Sequence, residues 1–175
     1  MSNKSAFLVI DAQVNMFDEA MPVHDASTVL AKLDSLCQQA RQANVPIIFV
    51  RHDGGVGEVD EYGTEGWQVH PQLAPQDTDI FVDKRKPDAF EATQLQNVLQ
   101  MNGIEHLVIA GMQTDYCVNA TTNQAILLGY AVTLVADAHS TFDSEMKLAS
   151  EIIAEFNENM ANLLMLRTAA NIMLL

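Results

Sequence analysis

The sequence predicts a three-layer α/β fold, an open parallel sheet of about six strands with helices on both faces. Three observations carry this. Short β-branched runs alternate with stretches of helical period along the chain, the pattern of repeated βα units. The first run, Phe7-Leu8-Val9-Ile10, is apolar at every position, as suits a strand covered on both faces. The 175 residues, 49% apolar and 18% charged, have the length and composition of one globular domain spanning 1–175. A chain of this size buries roughly 70% of the surface its unfolded form exposes, so the core needs no metal or disulfide staple.

The elements follow in order. After the first strand, Val29, Leu33, Leu36, Cys37 and Ala40 recur at helical spacing and form one apolar stripe, on a helix that stops before Pro46. Ile47 to Val50 is the second strand. Residues 51–79 show neither period and hold five of the eight glycines together with Tyr62, Trp67, Pro71 and Pro75. A connection of that length is expected to be functional, and its two large rings suggest a lid folded over the site of its own subunit or of a neighbouring one. The third strand is Ile80-Phe81-Val82. A helix carrying Leu95, Val98 and Leu99 then stops at Asn102-Gly103, a usual C-terminal signal. Strand Leu107 to Ala110 leads through Gly111 into a helix from Asp115 to Leu128, closed by Gly129, with Val118, Ala125 and Leu128 on its buried face. Strand Val132 to Val135 follows. The last helix has Met146, Ala149, Ile153 and Phe156 as its stripe, and Leu163 to Leu166 reads as a sixth strand.

Nine Lys and Arg against 23 Asp and Glu leave a formal net charge of −14. Such a surface repels the phosphates of nucleic acid and anionic lipid, so neither is expected as a partner, and a small-molecule substrate is. The run Ala6 to Ile10 is too short for the core of a signal peptide, and no stretch approaches the ~18 apolar residues that span a bilayer. A cytoplasmic protein is expected, with its two cysteines reduced. The tail from Leu163 to Leu175 is more apolar than one short strand requires, which points to a homo-oligomer, at least a dimer.

In an open α/β sheet the ligand crevice lies beyond the carboxyl ends of the strands. Asp11 directly follows the first strand, Lys84 follows the third, and Cys117 lies on the first turn after the fourth. A carboxylate, an ammonium and a thiol therefore converge on one crevice. With Thr114 as N-cap, Cys117 takes about the third helical position, where the helix dipole and Lys84 are expected to favour a thiolate. Cys37 belongs to an apolar stripe and is inert filling.

LVIDAQVNMF at 8–17, KRKPDAF at 84–90 and IEHLVIAGMQTDYCVNATTNQAILLGYAVTLVADA at 104–138 together resemble the isochorismatase-like cysteine hydrolases, which include nicotinamidases, N-carbamoylsarcosine amidases and isochorismatases. The likeness covers nearly the whole chain, and the third block is the most specific. It implies a Rossmann-like sheet and a triad in which Asp11 is the catalytic Asp, Lys84 the Lys six positions before Phe90, and Cys117 the nucleophile of the GxxTxxCV segment. Asp11 would take the thiol proton, Lys84 would hold the carboxylate and the sulfur, and the thiolate would attack an amide-type or carbamoyl carbonyl to give a thioester that water cleaves. The resemblance also implies a non-proline cis peptide at Met112-Gln113, with the Gln113 and Cys117 N–H groups as oxyanion hole.

Departures from the family pattern narrow the substrate. Where nicotinamidases carry Asp-x-His for a metal, this chain reads Arg51-His52-Asp53-Gly54. Neither a metal nor any other cofactor is therefore expected, and a set of His52, Asp53 and His70 is the less favoured alternative. Isochorismatases cleave a vinyl ether and commonly lack the cysteine, so Cys117 favours amide or carbamoyl substrates. The alternatives are a vinyl-ether hydrolase with Cys117 incidental, and a catalytically silent small-molecule binder. Gln13, Phe17, His52, Trp67, Tyr116 and His139 are the candidate substrate-binding residues, Asp115 complements a helix N-terminus, and Asp137 caps a strand end. Lys86, two residues further on, is a conceivable substitute for Lys84, and a surface role suits it better.

Overall fold

The computed structural model describes residues 4–174. Their elements alternate as the periodicity predicts: β1 (Ser5–Ile10), α1 (Ala26–Gln42), β2 (Ile47–His52), β3 (Ile80–Lys84), α2 (Leu95–Met101), β4 (His106–Met112), α3 (Asn119–Leu127), β5 (Ala131–Ser140), α4 (Ala149–Met160) and β6 (Met165–Arg167). All six strands are parallel, in the order β3-β2-β1-β4-β5-β6. The chain builds outward from β1 on one side, then returns and builds outward on the other. The turning point of the topology therefore lies between β1 and β4, where such sheets open their crevice.

Side-chain alternation divides the core in two. Phe7, Val9, Phe49 and Val108 face α1, whose stripe of Val29, Leu33, Leu36, Cys37 and Ala40 is buried as its spacing predicts. Leu8, Ile10, Val50, Ile109 and Leu134 point the other way, onto Leu95 and Leu99 of α2, Ala125 of α3, and Phe156 and Met160 of α4. β1 is buried along its whole length, which explains why it carries no polar alternation. No helix among the described residues is long and apolar enough to cross a membrane.

Several boundaries differ from the sequence reading. β3 runs on to Lys84, so this lysine ends the strand instead of following it. β5 extends to Ser140, because a bulge opposite Ile109 and Gly111 absorbs residues 136–138 and lets pairing resume at His139. The helix expected over 115–128 is in two parts, a π turn at Thr114–Val118 and then α3. Met146 is not on the last helix: the Ser144 hydroxyl accepts the N–H groups of Met146 and Lys147, so α4 begins only after Leu148, whose N–H is taken by Glu151. The sixth strand lies one to two residues later than expected, and Leu175 falls outside the described residues.

The long connection after β2 is ordered. Oδ1 of Asp53 accepts the N–H groups of Gly55 and Tyr62, and its other oxygen accepts from Arg85 at 2.8 Å. That ion pair holds the Asp53 carboxyl below the usual carboxylate range. A bridge between Gln13 and Val69 and the bond from His70 N–H to the Ala12 carbonyl pin the segment to the end of β1.

Candidate active site

Three elements deliver the three expected groups to one point. β1 ends at Ile10, and Asp11 follows with φ at +46°, a left-handed residue whose N–H is fixed by the Val50 carbonyl at 2.9 Å. β4 approaches β1 so closely here that a Cβ on Gly111 would stand 2.0 Å from the Ile10 carbonyl oxygen, and Gly111 itself has φ +125°. Only glycine fits both the backbone angle and the space. The Met112-Gln113 peptide that follows is cis. The π turn then begins, with the Gln113 carbonyl accepting from both Tyr116 and Val118, and Cys117 faces back over the sheet.

Lys84 is the hub. Its fully buried ammonium lies 2.9 Å from Asp11 Oδ2, 3.1 Å from Cys117 Sγ and 3.2 Å from His52 Nδ1. Burial alone would lower its pKa, but the Asp11 carboxylate and the hydrogen bonds to Asp11 and the Cys117 sulfur outweigh that and hold it above the ordinary lysine value. The other Asp11 oxygen, Oδ1, is buried with no hydrogen-bond partner. Lys86 is exposed, and among the described residues no group of three His, Cys, Asp or Glu side chains is placed to hold a metal ion. Asp53, taken up by Arg85 and the connection, is not arranged with His52 and His70 as a ligand set.

The expectation of a thiolate at rest is not met. Burial first and the Asp11 carboxylate second push the Cys117 thiol up to about 12, against the downward pull of Lys84. Thr114 is not a cap either: Gln113 precedes the turn, and the Thr114 hydroxyl is used elsewhere. Cys37 is likewise pushed up to about 12, by burial first, with Asp79 and Asp34 adding to it against the downward pull of Arg41.

The candidate pocket residues separate. His52 joins the hub through Lys84. Gln13 does not face a ligand: its amide accepts from His52 N–H at 2.7 Å and donates to the His52 and Trp67 carbonyls at 2.9 Å each, so every strong interaction it makes holds backbone. Trp67 stacks under the Arg51 guanidinium at 3.8 Å with Tyr62 at 4.5 Å. Arg51 and His52 point to opposite faces of β2, and the indole goes with Arg51, not with the hub. Phe17 packs edge-on against His70 and lines a separate 490 Å³ cavity with Pro22, Val23 and Leu30. Tyr116 is on the rim, 60% exposed.

His139 is buried in the bulged end of β5 and is committed to structure. Asn157 donates from Nδ2 to the Ala136 carbonyl, so its Oδ1 must accept from His139 Nε2–H at 2.9 Å. Nδ1 is then the acceptor for the Thr114 hydroxyl at 2.9 Å, and burial depresses the imidazole's pKa accordingly. This chain ties the π turn to β5 and α4. Asp115 accepts from the Thr141 hydroxyl at 2.6 Å. Asp137 lies inside the bulge instead of ending a strand, paired with Lys32 at 2.9 Å and accepting Ala169 N–H.

The Isochorismatase domain model matches residues 5–164. A streptothricin hydrolase of Streptomyces noursei is 35% identical over 138 residues, 79% of this chain and 50% of that protein. The chain spans about half the length of the streptothricin hydrolases it matches. Nicotinamidase 3 of Arabidopsis thaliana is 31% identical over 163 residues, 85% of this chain and 79% of its own. The crystal structure of an isochorismatase from Pseudomonas putida KT2440 superposes with a TM-score of 0.90 at 29% identity, covering 97% of this chain and 90% of that one. A domain match over nearly the whole chain establishes that this protein belongs to the isochorismatase family.

Proposed function

We infer that the chain acts as one hydrolase domain that cleaves a small amide or carbamoyl-type substrate through a thioester on Cys117. The observation that carries this is the shared ammonium: Lys84 bridges Asp11 and Cys117 within hydrogen-bond distance of both, while Asp11 Oδ1 stays unpaired. A resting thiol with a raised pKa needs a base, and Oδ1 is the free acceptor for its proton. Cys117 then attacks the carbonyl carbon. The Gln113 and Cys117 N–H groups, at the start of a helical turn where such donors lack intrahelical partners, receive the oxyanion. Collapse expels the amine, which takes the proton from Asp11. Asp11 next accepts a proton from water, whose oxygen attacks the thioester, and that proton returns to the departing sulfur. Bond to nitrogen is exchanged for bond to oxygen, with no redox change. Two relatives carrying hydrolase and amidase names support the C–N assignment. Two free thiols suit a reducing cytoplasm.

A panel of small amides, carbamoyl compounds and isochorismate, run with wild type and Cys117→Ala, tests this. Loss of amide or carbamoyl turnover by at least about a thousandfold in the variant is expected. Isochorismate turnover that survives the loss of the thiol selects a vinyl-ether hydrolase, and silence throughout selects a binding protein.

A further inference from the structure

His52 is placed with more care than a pocket wall requires. It ends β2 in register with Lys84 on β3, so both side chains leave the sheet on the same face. Its backbone is gripped on both sides by one fully buried side chain: the Gln13 amide accepts from its N–H and donates to its carbonyl, as a neighbouring strand would. The imidazole so fixed meets a buried ammonium. Lys84 has three N–H donors, and Asp11, Cys117 and His52 Nδ1 are three acceptors at 2.9, 3.1 and 3.2 Å. An ammonium with one unclaimed donor in a buried site would be free to rotate away from the sulfur or would carry the cost of an unmade bond.

We propose that His52 is the positioning residue of this site, its Nδ1 acting as the third acceptor that locks the Lys84 ammonium toward Asp11 and Cys117. This requires the Nε2–H tautomer, and Nε2 has no partner among the described residues. The ring meets Lys84 from β3, and through that ammonium it is linked to Asp11 at the end of β1 and Cys117 on the π turn. The inference deepens the proposed hydrolase reading and rests on the same triad.

Three substitutions separate the roles of the two ring nitrogens. His52→Asn sets a carbonyl oxygen near the place of Nδ1, His52→Gln sets an amide N–H near Nε2, and His52→Ala supplies neither. The rate constant for alkylation of Cys117 by iodoacetamide reads the hub without any substrate, and kcat and KM for the best compound of the panel read catalysis. We expect His52→Ala and His52→Gln to lose about tenfold or more in alkylation rate and in kcat, with KM within about threefold of wild type, and His52→Asn to recover to within about threefold. Alkylation of His52→Asn as slow as that of His52→Ala, recovery by Gln in place of Asn, or wild-type rates in His52→Ala would each overturn the proposal. If His52→Ala does not fold, the comparison of Asn with Gln decides alone. Should Cys117→Ala retain full turnover while alkylation still follows the Asn pattern, the hydrolase mechanism fails and the role of His52 stands.

Discussion

At the residue scale, the Cys117 thiol is held up at about 12 by its burial and the Asp11 carboxylate, and Lys84 only partly offsets them. A group raised in this way stays protonated through neutral pH, so its thiolate fraction grows about tenfold for each pH unit. Alkylation of Cys117 is therefore expected to accelerate by about that factor per unit from pH 7 to pH 9, and a plateau below pH 8 would show a thiolate already formed. In the mechanism proposed above, catalysis escapes the same limit because Asp11 removes the proton only as the sulfur attacks. Lys84 then matters most in the transition state, when negative charge has left the carboxylate and reached the sulfur 3.1 Å from its ammonium.

At the element scale, the meeting of β1 and β4 depends on a glycine. A methyl group on Gly111 would stand 2.0 Å from the Ile10 carbonyl, one residue before Asp11. Gly111→Ala is expected to cost at least ~2 kcal/mol in urea unfolding and to lower kcat/KM, because the strand must retreat from the residue that presents the base. Gly103, at φ +64° with nothing near, is the control: Gly103→Ala is expected to cost about 1 kcal/mol and leave kcat/KM unchanged. Equal effects at the two positions would remove the special role of Gly111. The same contrast explains what the sequence made legible. Apolar runs and helical stripes record local geometry, so the strands and α1 are readable; Asp11 and Lys84 stand out at the ends of strands, and Cys117 on the first turn after one. Gln13, the Thr114–His139–Asn157 chain and the grip on Lys84 depend on register between distant segments, and no local period encodes register. Trp67 does not reach this chain's own hub, although glycines and rings suggest a lid, because the alternation of β2 puts its partner, Arg51, on the face opposite His52.

At the scale of the whole molecule, apolar side chains remain uncovered near the end of the chain. Leu163, Met165 and Met173 are exposed while Ile172 and Leu174 are buried, so part of the tail seals the core and part faces outward. A homo-oligomer of at least two chains is expected, and a monomeric mass by light scattering at micromolar concentration would reject it. The strand order has a further consequence, for the order in which the chain is made. Asp11 and Lys84 belong to the half that emerges first, and Cys117 to the half that emerges later, joined only when β4 lies against β1. During synthesis the carboxylate and the ammonium wait without the thiol, which meets them only inside a sheet already closing around all three. No fragment that stops before Cys117 therefore assembles the three groups.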